Sequence, residues 1–258
     1  IKEYERVREL KPDDVANLSA LADLYVRTDE TVKALEVYKS LQTADPNNPE
    51  YQERILGLMR MSGDSEAVVS MLQEKISANP NDADAILELG AHYKNQRDWT
   101  NAASMYEKYH ALKPDDAFIL EDLADMYVRM ENYSKAAQTY AKLIELRPDD
   151  VRAVTGQADA YRRLGQFKRA MGVVNRAIRL DRSFGRARIV KGEIYTDVVD
   201  KCQLDASRKG ANFDDKLVFK LAHEQFKLAS ADAEVRNRAN SLMGSLVDVL
   251  PKKSDFFM

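Results

Sequence analysis

Nine arginines and two lysines fall between Val151 and Gly192, against only Asp159 and Asp181. A guanidinium is always charged, presents its donors in a rigid fork and binds carboxylates two bonds at a time, so this stretch has the chemistry of anion recognition. A charged run is equally what a solvated helix face looks like, and the sequence weighs the two readings evenly. The remainder has the opposite sign: residues 1–150 hold 18 basic and 29 acidic side chains, and the whole chain carries −3. His92, His110 and His223 are isolated, with no cysteine or second histidine at metal-ligand spacing. Cys202 is the one cysteine; with Val190, Ile194 and Val198 it continues an apolar helical spacing, which predicts a buried, inert thiol. No glycine-rich phosphate loop occurs, and the adjacent acids Asp13–Asp14 and Asp149–Asp150 stand at helix starts, where they cap. No catalytic residue, metal site or cofactor is expected. Nucleic acid is a poor match for the arginines, because the rest of the chain is acidic and the aromatics fall at core spacing.

The elements that must carry these residues follow from a strict repeat. Pro12, Pro46, Pro80, Pro114 and Pro148 recur every 34 residues, a period that marks repeated helical pairs. Ala34, Ala102 and Ala136 share one column, Tyr38, Tyr106 and Tyr140 another, and Leu21, Leu89 and Leu123 a third. Ala22, Gly90, Ala124, Ala158 and Gly192 follow, then Tyr25, Tyr93, Tyr127, Tyr161 and Tyr195. Each period holds two stretches of three- and four-residue apolar spacing, hence two amphipathic helices, such as Asp14–Arg27 and Thr31–Ala44. Asp14, Asn48, Asp82, Asp116 and Asp150 are placed to cap the first helices, and the prolines follow the second. Small residues facing one another let the paired helices approach closely. One pair cannot bury its own apolar face, so the pairs must stack.

The units read as a half repeat at 1–14, full units at 15–48, 49–82, 83–116, 117–150 and 151–184, an extended unit at 185–231, a capping helix at 232–250 and a tail at 251–258. In the unit at 49–82, Leu56, Met59, Val68 and Leu72 replace the small residue, the tyrosine, the alanine and the aromatic, which predicts a local change of curvature. Gln157 and Lys191 interrupt an apolar column and are expected either to reach solvent, the favoured reading, or to line something functional. Trp99 is read as packing at a helix elbow. In the extended unit the first helix should run to about Ser207 and Gly210 should end it. Asn212 and Asp215 should then form a capping box, with Ala222, Phe226 and Ala229 restoring the displaced columns. Ile1–Leu10 reads as a second helix without its first, leaving Tyr4, Val7 and Leu10 partly exposed, as in a piece of a longer array or a processed form. Phe256, Phe257 and Met258 make an apolar tail that is expected to be held by the body or by a neighbouring molecule. No apolar run approaches the ~20 residues of a membrane span, and no secretion signal is evident. A cytoplasmic setting is expected, with the periplasm as the alternative.

The small residue, tyrosine, alanine, aromatic and proline columns resemble the tetratricopeptide repeat (TPR) family over at least Val15–Arg182. The resemblance implies an all-α, right-handed α-solenoid of antiparallel helix pairs, about 14 helices in all, that binds proteins without catalysis. It also implies a groove lined by the first helices. Matching positions give three columns there: Ala16, Glu50, Asp84, Phe118, Arg152 and Arg186; Ser19, Glu53, Leu87, Glu121, Thr155 and Ile189; and Asp23, Gly57, Ala91, Asp125, Asp159 and Glu193. The lysines and asparagines with which chaperone-binding members hold a terminal carboxylate are absent from the second and third. The expected partner site is a basic pocket of Arg129, Arg152, Arg162, Arg163 and Arg186 with Phe118 as its apolar anchor. An acidic or phosphorylated protein segment is the expected partner. The rival is a homo-oligomer, a structural array joining acidic and basic ends head to tail.

Overall fold

The computed structural model describes residues 1–46 and 48–256. Among them are fourteen α-helices and no strand. In chain order these are α1 (Lys2–Leu10), α2 (Val15–Arg27), α3 (Thr31–Ala44), α4 (Pro49–Met61), α5 (Ser65–Ala78), α6 (Ala83–Asn95) and α7 (Trp99–Leu112). They continue as α8 (Ala117–Arg129), α9 (Tyr133–Leu146), α10 (Val151–Arg163), α11 (Phe167–Leu180), α12 (Gly185–Asp205), α13 (Phe213–Ala229) and α14 (Arg236–Leu246). The chain forms two compact units, Ile1–Gln96 and Arg97–Met258, each an all-α stack. Phe257 and Met258 of the apolar tail lie outside the described residues.

Local chemistry sets both ends of each helix. Asp14, Asn48, Asp82, Asp116 and Asp150 each accept a backbone N–H from the first turn that follows, at about 3 Å. The first helices then end in a left-handed residue, at Asp29, Gly63, Arg97, Glu131 and Gly165, all with φ between 56° and 74°. In four of these turns the next amide bonds back to the carbonyl five residues earlier: Glu30 to Tyr25, Asp64 to Met59, Asn132 to Tyr127 and Gln166 to Tyr161. Each turn thus satisfies carbonyls that the helix end leaves open.

Packing within each unit follows the small columns. Ala22 and Ala34 in the first unit, and Ala124, Ala136, Ala158 and Ala170 in the second, are fully buried. Tyrosines then tie neighbouring helices through polar tips. Tyr38 donates to Asp23 at 3.1 Å and Tyr140 to Asp125 at 3.3 Å. Tyr25 and Tyr127 donate to Glu5 and Glu107, with Lys33 and Lys135 over their rings at 5.3 and 5.0 Å. Burial and then the carboxylate of Glu107 push the Tyr127 phenol up to about 12. Gln157 and Lys191 are half-buried, partly open to solvent and partly bonded inside. Gln157 donates to the Ala137 carbonyl at 3.3 Å and Lys191 to Asn175 at 2.9 Å, so both satisfy polar groups of a neighbouring second helix.

The C-terminal part departs from the period where the sequence says it should. Helix α12 runs 21 residues. Gly210 has φ +86°, and Asn212 and Asp215 close a reciprocal capping box at 3.0 and 2.8 Å. Ala222, Phe226 and Ala229 are buried, with the Phe226 ring lying where a Cβ on Gly192 would be. Cys202, expected inside, is exposed. Steps of four residues drift about 40° around a helix of 3.6 residues per turn; Val190 and Ile194 are buried, Val198 is half-buried and Cys202 has turned outward. The last helix starts at Arg236 rather than Asp232, whose carboxylate accepts both the Gly185 N–H at 2.8 Å and the Glu234 N–H at 3.0 Å.

Candidate partner-binding site

The residues expected to form one basic pocket separate into two rows. Phe118, Arg152 and Arg186 are each the second residue of a first helix, on α8, α10 and α12. Arg129 and Arg163 end α8 and α10, and Arg162 precedes Arg163. Ten residues of α10 separate Arg152 from Arg162, about 15 Å along the axis.

The row at the helix starts is open. Phe118 is 72% exposed, and the Arg147 guanidinium lies over its ring at 4.6 Å while reaching Glu121 at 3.8 Å. Arg152 and Arg186 are exposed, and neither makes a side-chain ion pair among the described residues. Both sit in a first turn, where the helix dipole already presents positive charge. The N–H groups at these ends are already taken by the carboxylates of Asp116, Asp150 and Asp232, so what the row offers an anion is its two open guanidiniums. Beside this row Arg152, Arg182 and Arg188 share a cleft of about 640 Å³ with Phe184 and Leu228. Its acids are partly committed: Asp181 accepts from Ser183 at 2.7 Å, and Asp232 from Gly185.

The row at the helix ends is engaged internally. Arg162 is only 11% exposed and meets Asp159 at 2.8 Å, Asp197 at 2.5 Å and Glu193 at 3.3 Å. Burial works against its charge, and the three carboxylates outweigh it, so the guanidinium is held protonated more firmly than usual. Arg238 on α14 adds a bond to Glu193 at 2.5 Å. Arg163 bonds Asp159 at 3.1 Å and lies over Tyr133 at 5.2 Å. Arg129 covers Trp99, a half-buried elbow residue, at 5.1 Å. These contacts clamp α10 to α12 and α14. Glu193 and Asp197 lie just beyond the basic stretch, so a charge count ending at Gly192 misses them; one period past Asp159, Glu193 falls in the same column.

The groove columns are also shorter than matching positions imply. Glu121 is exposed, but Thr155 and Ile189 are buried. Ile189 packs into the cluster of Phe219, Phe226, Ala239 and Leu246 that α13 and α14 bring over this end. No three His, Cys, Asp or Glu side chains gather to hold a metal among the described residues. No helix there is long and apolar enough to cross a membrane.

Two family models described as tetratricopeptide repeat match residues 85–118 and 121–183. No curated protein matches the chain. Among solved structures, a crystal structure of MamA resembles it with TM-score 0.53 and 19% identity, over 71% of this chain and 97% of that one. The MamA RS-1 ArsTM double mutant gives 0.51 and 17%, over 74% and 95%. YrrB, described as a TPR protein with an unusual peptide-binding site, gives 0.48 and 15%, over 71% and 95%. At these identities the likeness is one of fold.

Proposed function

We propose that this chain, a member of the tetratricopeptide repeat superfamily, is a non-catalytic scaffold whose first-helix row Phe118–Arg152–Arg186 holds an acidic segment of a protein partner. The fold supports the coarser part of this reading, a surface for protein–protein interaction. The finer part is carried by one observation: an exposed ring and two uncommitted guanidiniums stand in register at helix starts. Arg129, Arg162 and Arg163 support the row by fixing α8, α10 and α12. The repeat units proposed from the sequence, 15–48 onward with an extended unit at 185–231, are the frame for this row. A reducing, cytoplasmic setting suits the exposed thiol of Cys202.

The test is a fluorescence-anisotropy titration with a labelled peptide of alternating Glu and Leu. Binding should weaken steeply between 50 mM and 300 mM salt, because exposed charges are screened within about 10 Å at 0.1 M. Arg152→Glu with Arg186→Glu should abolish it and leave helicity intact; undiminished binding by that variant contradicts the reading. The second reading is self-assembly, favoured by α1, which has no buried residue and leaves Leu10 75% exposed. It predicts a mass that rises with protein concentration and falls at high salt.

A further inference from the structure

The slots between successive second helices are not filled alike. In the second unit, the slot between α7 and α9 is floored by α8 and measures about 420 Å³. Tyr127 plugs it: its hydroxyl donates to Glu107, and Lys135 reaches Glu107 at 2.9 Å. The same trio, Glu5, Tyr25 and Lys33, fills the equivalent place between α1 and α3. The slot between α3 and α5, floored by α4, is larger, about 710 Å³.

Register explains the difference. One period after Glu5, Tyr25 and Lys33 stand Lys39, Met59 and Ala67, so phenol, acceptor and ammonium are all missing. Of the tyrosine column, which continues as Tyr93, Tyr127 and Tyr161, this repeat alone lacks the ring. Ile55 and Met59 form a buried floor, with half-buried Met71 beside them. Lys39 on α3 and Lys75 on α5 face the slot from opposite walls, and neither makes an ion pair among the described residues. Of the acids at the rim, Asp82 is committed to the cap of α6, which leaves Glu74 beside Lys75.

We propose that this slot receives an aromatic side chain from an extended partner peptide, with carboxylates flanking the ring. The regular repeats show which shape the space fits: a six-membered ring laid between two second helices. A methionine floor adapts to such a ring and makes favourable sulfur–aromatic contacts. Replacing Glu107 by its counterpart Lys39 reverses the charge beside the ring, so the complement on the partner is an anion, and Lys75 repeats that demand on the far wall. The slot lies in the first unit between second helices. It therefore stands or falls independently of the first-helix row in the second unit.

The probe is the peptide Ac-Glu-Phe-Glu-NH2, titrated into the full chain carrying carbon-13 methionine methyls. Met59 and Met71 should show ring-current shifts, and Ac-Glu-Ala-Glu-NH2 should produce none. Ac-Gln-Phe-Gln-NH2 should bind more weakly, by about twofold to thirtyfold for two exposed charge pairs. Met59→Tyr restores the residue that the other repeats carry; it should keep or raise Tm and weaken the Glu-Phe-Glu peptide by about tenfold or more. Lys39→Glu should remove the preference for Glu over Gln while the ring still binds. The proposal is overturned if Met59→Tyr binds as tightly as the parent, or if Lys39→Glu leaves the Glu/Gln ratio unchanged. It is also overturned if the shifts appear on concentrating the protein alone, which assigns the slot to a second copy.

Discussion

Arg162 and Arg186 carry the same guanidinium and meet opposite surroundings, so identical substitutions should have unlike effects. Arg162→Ala removes the ion-pair partner of Asp197 and leaves Asp159 and Glu193 with only Arg163 and Arg238, and urea denaturation should show a loss of about 3 kcal/mol, typical of breaking a buried ion pair from one side. Arg186→Ala touches no ion pair and should stay within about 0.5 kcal/mol of the parent. A second residue-scale consequence concerns pH. Burial pushes the Asp215 carboxyl up, and its bonds from Arg208 and the Asn212 N–H outweigh this, holding it below the usual carboxylate range. With the folded pKa depressed, its stabilisation is complete above the unfolded value of about 4 and is lost as pH falls through the folded one. The stability gap between parent and Asp215→Asn should therefore be constant from pH 7 to 5 and close under stronger acid. A gap that widens as pH falls below about 4 contradicts the assignment.

At the scale of the element, the turn inside each helix pair imposes a left-handed residue every 34 positions, and only Gly63 and Gly165 supply it without strain. Glu131, at φ 56°, pays the Cβ penalty. Glu131→Gly should raise stability by about 0.5–1 kcal/mol in thermal melts, net of the extra unfolded-state entropy of glycine. Gly192→Ala should do the reverse, since its new methyl meets the Phe226 ring, and Phe226→Leu should relieve it. The elements were legible in the sequence because their signals are local and periodic: caps, prolines, small columns and the Asn212–Asp215 box. The left-handed turn was half-visible, in two glycines three periods apart. Cys202 is exposed because four-residue spacing does not mark a fixed face: it precesses around the helix. Asp232 also bonds the first N–H of α12 from 47 residues away, a contact with no local signature.

For the whole molecule, the question is what the uneven distribution of charge is for. Sequence shows where the arginines are but not which are already paired, because Arg162 meets Asp197 35 residues away. The six expected site residues therefore divide into three that clamp helices and three that stay open. Sedimentation equilibrium from 1 to 100 µM separates the two functional readings: a scaffold keeps one mass, and a self-assembling array gains mass with concentration and loses it in salt. The most direct test of the open row is a charge swap. Arg186→Glu should lose the Glu/Leu peptide and gain a Lys/Leu peptide of the same length, by about tenfold in each direction for a reversed contact at an exposed helix start. If both peptides bind Arg186→Glu as they bind the parent, the row at the starts of α8, α10 and α12 is not the recognition surface.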